Sequence, residues 1–236
     1  TESTLGGEII LQGLDSLELS NAKISASTLD GEAGDIVINA LDFVTILDNS
    51  KIASEAKGTG IAGFIEINTK NLNITDASVA SVNSKQEAGY ILVNAGDITI
   101  NATDEVNIEQ SSKIASGAVG KGEAGFIEII TNNLNISDNS DAVVSSAEEG
   151  DSGFISIKAS NVNLTNKATI SANTASGDGG DIELDNLKTL FLNQESFISA
   201  NTTDGTAGDI IINATDSVTV ENNSKLASES VGDGIA

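Results

Sequence analysis

The sequence predicts an all-β fold, a right-handed parallel β-helix, from three observations. The stretch 33–64 returns with few changes at 207–236, so the chain is built on a repeat. Apolar and polar residues alternate within each unit, as in strands with one buried face. Val, Ile, Thr, Ser, Asn and Gly dominate, and no apolar spacing of three and four residues persists, which argues against a helical solenoid.

Each repeat unit begins at a glycine, and most of these glycines are about 26–29 residues apart. They are Gly7, Gly34, Gly63, Gly89, Gly125, Gly153, Gly180 and Gly208. One spacing is longer because GYILVNA (89–95) is followed directly by GDITINA (96–102), and counting from Gly96 restores the usual length. We therefore expect about eight coils in a single solenoid, 1–236, with a seven-residue insertion near 89–95. We also expect this solenoid to be an internal piece of a longer repeat protein.

The second unit shows three short strands per coil, around Ile36 and Ile38, around Val44 and Ile46, and around Ile52. Two tight corners join them, and the second corner carries Asn or Asp, which tolerate left-handed backbone. A longer acidic, Gly-rich loop leads to the next unit and absorbs the variation in length. The register between coils then predicts one buried ladder, formed by Ile36, Ile65, Ile127, Ile155, Ile182 and Ile210.

The residue after each repeat glycine is expected to face outward. If Gly89 rather than Gly96 holds the register, this residue is aromatic on four consecutive coils, at Phe64, Tyr90, Phe126 and Phe154. Such a column is either a stabilising stack between coils or an apolar stripe for a partner or a neighbouring rod.

The formal net charge of −24 argues against nucleic-acid binding, which needs clustered Lys and Arg. It argues equally against binding to an anionic membrane surface. The sequence contains no stretch of about 18 apolar residues, so it does not predict membrane insertion. The acidity indicates either a solvated surface or binding of divalent cations. With no Cys, the sequence fits both a cytosolic protein and a large secreted solenoid.

Calcium is the one cofactor that the sequence suggests. The loop SGDGGDIEL (176–184) places Gly and Asp somewhat like a calcium-binding nonapeptide repeat, although it occurs only once. Asp181 and Asp209 fall one coil apart and would repel each other unless a cation intervenes or their side chains cap the turn. The candidate metal ligands are therefore Asp178, Asp181 and Asp209, with turn capping as the alternative.

A polysaccharide lyase or hydrolase is a further alternative, because parallel β-helices also host such enzymes. The chain contains neither His nor Arg, which these enzymes commonly use beside their carboxylates. No unit breaks the repeat to form a unique cleft, and catalysis needs one. We therefore predict no catalytic residues.

The run AGDIVINA (33–40), then the strand Val44–Ile46, SKIAS (50–54) and a Gly-rich return, resembles the passenger repeats of filamentous-haemagglutinin-type exoproteins. These are adhesins of two-partner secretion, and the resemblance is greatest to those of cyanobacteria. It covers all eight units and implies a right-handed β-helix, export to the cell surface and a role in adhesion or a surface layer. The family's secretion domain carries an Asn-Pro motif, which a chain with no Pro lacks, so this chain resembles the shaft.

We therefore expect a structural and adhesive shaft of a secreted cell-surface or extracellular filament protein. The alternative is an acidic calcium-binding solenoid that cross-links a surface layer. The expected partners are further coils of the same protein or head-to-tail copies of it, because open coils present unpaired backbone N–H and C=O groups. Neighbouring rods and cell-surface or carbohydrate receptors are further candidates.

Overall fold

The structure, a computed structural model, describes residues 5–29, 31–56, 58, 60–85, 95–119, 122–146 and 150–232. All of the regular secondary structure within these residues is β-strand. Every strand pairing between coils is parallel, so the predicted all-β parallel β-helix is confirmed. Each coil contributes one rung to the stack, with a first, a second and a third strand segment.

A ten-stranded sheet contains the first and second segments of the rungs. In six rungs the two segments form one strand: β1 (Ile9–Ser20), β3 (Ile36–Leu47), β5 (Ile65–Ile74), β7 (Ile98–Ile108), β15 (Ile182–Leu192) and β18 (Ile210–Val220). In the fifth and sixth rungs they are separate: β9 (Ile127–Ile130), β10 (Asn133–Ser137), β12 (Ile155–Lys158) and β13 (Asn161–Thr165). The first corner is therefore a bend within one sheet, marked by register shifts such as that between Asn39 and Phe43.

A nine-stranded sheet contains the third segments. Its strands are β2 (Lys23–Ser25), β4 (Lys51–Ala56), β6 (Val79–Lys85), β8 (Lys113–Val119), β11 (Asp141–Ser146), β14 (Thr169–Ser176), β16 (Phe197–Ser199), β17 (Thr202–Asp204) and β19 (Lys225–Ala227). The two sheets enclose the apolar core. In the part of the chain that the structure describes, no helix has the length and apolar character needed to cross a membrane.

The predicted isoleucine ladder is confirmed and defines eight rungs. Its members are Ile9, Ile36, Ile65, Ile98, Ile127, Ile155, Ile182 and Ile210. From Ile36 to Ile182 these side chains have no exposed surface, whereas Ile210 on the last rung is partly exposed. Burial of each such side chain contributes about 1.5–3 kcal/mol, so the ladder is one of the main apolar supports of the fold.

The repeat glycines are required because the backbones of successive rungs touch at this position. A Cβ atom on Gly153 or Gly180 would overlap the carbonyl oxygen of the repeat glycine one rung earlier, and the same holds at Gly34, Gly63, Gly96, Gly125 and Gly208. Even a methyl group therefore cannot enter this column. Glycine recurs at this position because a side chain would not fit between the rungs. The backbone conformation does not require it, since none of these seven glycines has a left-handed backbone.

The second corner has the left-handed backbone that its Asp and Asn residues predict. Asp48 and Asn49 have φ angles of 57° and 59°, and equivalent pairs recur in the later rungs. In all of these rungs but the sixth, where Ala168 takes this place, a serine follows the pair, and such serines cap the rung before them, as where the Ser50 N–H donates to Ser78 Oγ at 3.1 Å. The corners are thus held by side chains as well as by backbone pairing.

Replacing Ile182 by Asp should destabilise the protein far more than replacing Glu183 by Asp. Both changes place the same side chain in β15, but Ile182 is fully buried and Glu183 lies on the outer face. We expect a loss of several kcal/mol in the first case and a few tenths in the second. Chemical denaturation measures both, and equal losses would contradict the assignment of the inner and outer faces.

Candidate functional site

Three features of the surface could engage a ligand or a partner. They are the column that follows the repeat glycines, the carboxylates beside it, and the outer face of the second segments. Because all three run along the rod, each is defined by which residues the register places on successive rungs.

The predicted aromatic column depends on the glycine that sets the register, and that glycine is Gly96 rather than Gly89. Ile65 pairs with Ile98, so Asp97 follows the glycine on this rung. An acidic residue therefore interrupts the column between the third and fifth rungs. The prediction of an aromatic residue on four consecutive rungs is not met by this register.

Of the predicted aromatic residues, Phe126 and Phe154 do stack. Their ring centroids are 5.6 Å apart and their planes differ by 1°. Because the rings cover each other's faces, the pair acts as a stabilising contact between rungs. Phe64 stands two rungs from Phe126 and is 38% exposed, and Tyr90 lies outside the described residues.

Two of the three proposed metal ligands of the return loop cap backbone N–H groups. Asp181 Oδ1 accepts a hydrogen bond from the Asp209 N–H at 2.8 Å, and Asp178 Oδ1 accepts one from the Thr206 N–H at 3.0 Å. This is the turn-capping alternative, and it needs no cation. Among the described residues, no three side chains of Asp, Glu, His or Cys gather into a group that could hold a metal ion. Asp178, Asp181 and Asp209 therefore do not form a three-carboxylate site.

Carboxylates also gather on the outer face of the first segments. Lys158 Nζ lies 2.7 Å from Glu128 Oε1, and this hydrogen bond is the main cause that raises the pKa of Lys158. On the next rung the negative charge of Asp185 raises the pKa of Glu183, because side chains two residues apart in a strand face the same side. This face therefore concentrates charge.

The outer face of the second segments is different in chemistry, and we call it the asparagine face. It consists of two adjacent columns on the second to seventh rungs: Phe43, Asn71, Glu105, Asn133, Asn161 and Thr189, and Thr45, Asn73, Asn107, Asn135, Asn163 and Phe191. Glu105 is the single charged residue among these positions. In a chain with a net charge of −24, this face is nearly neutral.

Side-chain amides on this face form continuous hydrogen-bonded ladders. Asn107 donates to Asn73 Oδ1, Asn135 to Asn107 Oδ1 and Asn163 to Asn135 Oδ1, each at 2.9 Å. In the neighbouring column Asn161 donates to Asn133 Oδ1, also at 2.9 Å. Because Asn107 and Asn135 are each bonded on both sides, the face presents these polar groups at fixed positions.

A second amide ladder lies on the first segments. Asn68 donates to Asn39 Oδ1 and Asn101 donates to Asn68 Oδ1, both at 2.8 Å. Neither ladder was predicted from the sequence. The signal was present as the pattern Asn-x-Asn between buried residues in Asn71–Asn73, and again in the fifth and sixth units.

Salt should stabilise the protein, and calcium should add nothing beyond its ionic strength. The net charge of −24 on a thin rod is self-repulsive, and screening relieves part of that repulsion. Asp178 and Asp181 already bind backbone N–H groups. Thermal melting in CaCl₂ and in NaCl at matched ionic strength measures the difference. A higher melting temperature in CaCl₂ that disappears in Asp181→Asn would instead demonstrate a calcium site.

No protein-family model matches this sequence, and neither does any curated protein or solved structure. The relation to filamentous-haemagglutinin-type repeats therefore stays a prediction that rests on the residues of the repeat.

Proposed function

We propose that the chain is a rigid, non-catalytic segment of the shaft of an extracellular or cell-surface filament protein that serves adhesion. The observation that carries the proposal is the regularity of the stack. Eight rungs keep one register, and the ladders of Ile, Gly, Ser and Asn all follow it. A stack of this kind resists bending because every rung pairs with its neighbours in both sheets.

The surface chemistry suits such a role. The return-loop carboxylates Asp35, Asp97 and Asp181 bind backbone N–H groups of the next rung, at 2.8 to 3.0 Å. These carboxylates therefore stabilise the contact between successive rungs. The remaining acidic residues keep a long and edge-rich protein soluble through repulsion between molecules.

The extracellular location is supported by the repeat style. The AGDIVINA and SKIAS runs resemble exported passenger repeats, and with no Cys the chain needs no disulfide to fold outside the cell. Regular coils supply the stability that small secreted proteins obtain from disulfides. Calcium cross-linking receives no comparable support, because two of the three carboxylates proposed for it, Asp178 and Asp181, act as caps.

The partner that we propose for the last rung is another parallel rung, either of the same protein or of a second copy. Val218 and Val220 of β18 are 48% and 39% exposed, whereas their equivalents Val44 and Ile46 in β3 are fully buried. These apolar side chains and the free edge of β18 would be covered by one more rung in the same register.

A stiff shaft predicts a single, narrow distance between two labels on different rungs. Lys23 and Lys225 lie in one column of the nine-stranded sheet, seven rung steps apart. Their separation should be about 34 Å at about 4.8 Å per step. Because the chain has no Cys of its own, spin labels attach only at Lys23→Cys and Lys225→Cys, and double electron–electron resonance measures the distance between them.

The matched control moves one label by a single rung. Labels on Lys51→Cys and Lys225→Cys span six steps and should give about 29 Å with the same narrow width. A broad distribution, or no difference between the two label pairs, would contradict a rigid shaft.

A further inference from the structure

We propose that the asparagine face binds an extended, uncharged polysaccharide that lies along the rod. This inference rests on the proposed function, since it makes the shaft itself the adhesive surface. Four properties of the face point to this ligand.

The first property is charge. The twelve positions of the asparagine face contain one carboxylate, Glu105, whereas the outer face of the first segments carries Glu66, Glu128, Glu183 and Asp185. A polyanion would be repelled by the rod as a whole. An uncharged polymer meets the least electrostatic cost on the asparagine face, because Glu105 is the only charged group of these twelve positions that has to lose hydration.

The second property is a fixed array of hydrogen-bonding groups. A side-chain amide has two N–H donors and an oxygen with two lone pairs. Asn107 and Asn163 each give one N–H to their ladder, which leaves the second N–H of each amide for a ligand. Because the ladder fixes these groups before binding, little side-chain entropy is lost when hydroxyl groups bind them.

The third property is an aromatic residue at each end of the face. Phe43 is 41% exposed on the second rung, and Phe191 is half-buried on the seventh. Five rung steps separate them, about 24 Å at about 4.8 Å per step. The apolar faces of sugar rings pack on aromatic side chains, so an extended chain of several sugars would contact a Phe at each end and amides between them.

The fourth property is size, which distinguishes a polysaccharide from a second copy of this chain. Three residues across and six rungs along give an area of about 290 Å². A stable protein interface needs about 800 Å² from each partner. The face is therefore too small for a lasting dimer, while it is long and flat enough for one ribbon-like β-1,4-linked glycan.

The test compares two isosteric changes on the two amide ladders. Asn135→Asp places a charge in the middle of the asparagine face, and Asn68→Asp does the same on the first segments. The two positions are closely matched, because Asn135 also donates to Glu105 and Asn68 also donates to Glu66, both at 2.7 Å. Any loss of fold from charge repulsion should therefore be similar in both variants.

Binding of cellohexaose, mannohexaose and xylohexaose is measured by isothermal titration calorimetry, with trigalacturonate as the anionic comparison. We expect at least one neutral hexasaccharide to bind, about tenfold more weakly to Asn135→Asp and within about twofold of the parent protein to Asn68→Asp. Phe43→Ala should also weaken binding. Circular dichroism establishes that each variant keeps its β-structure.

Several outcomes would overturn the inference. One is no binding of any neutral hexasaccharide by the folded protein at millimolar concentration, and another is tighter binding of trigalacturonate. A larger effect of Asn68→Asp would move the ligand to the groove of about 490 Å³ that Asn68 helps to line at the first bend. Dimerisation that Asn135→Asp abolishes, seen by sedimentation, would assign the face to a second copy. None of these results bears on rigidity, which the label distances test separately.

Discussion

Backbone pairing between successive rungs in one register is the constraint on which the rest of this protein depends. It fixes the repeat length, because each isoleucine of the buried ladder must meet the next one, as Ile36 meets Ile65. It also decides which side chains become neighbours, since a residue pairs with its equivalent about 28 positions later. Any side chain that bonds well to a copy of itself is then favoured in every unit.

The side-chain ladders follow from that constraint. Asparagine is both donor and acceptor, so a column of amides can bond to itself without limit, as from Asn73 to Asn163. Aspartate cannot do so, and Asp181 instead accepts from a backbone N–H of the next rung. The same physical rule thus yields neutral ladders on one face and carboxylate caps at one edge. The contrast between those surfaces gives the rod a face suited to an uncharged ligand.

Most of the fold could be predicted from the sequence, because the repeat reports the register directly. The isoleucine ladder and the left-handed pair Asp48 and Asn49 both follow from residue types at fixed spacing. The aromatic column could not be settled in that way. Gly89 and Gly96 each begin a run with the same pattern, and only the pairing of Ile98 distinguishes them. The asparagine face was also missed, because a ladder emerges only when equivalent residues are superposed and Asn is common throughout the chain.

The glycine column has a consequence for the shape of the whole rod. At this edge successive backbones lie so close that a Cβ on Gly180 would overlap the Gly153 carbonyl. A side chain there would lengthen one edge of the stack while the two sheets kept their spacing on the other sides. The axis of the stack would then bend away from that edge. The absence of a side chain at this position therefore lets successive rungs keep one spacing around the whole coil.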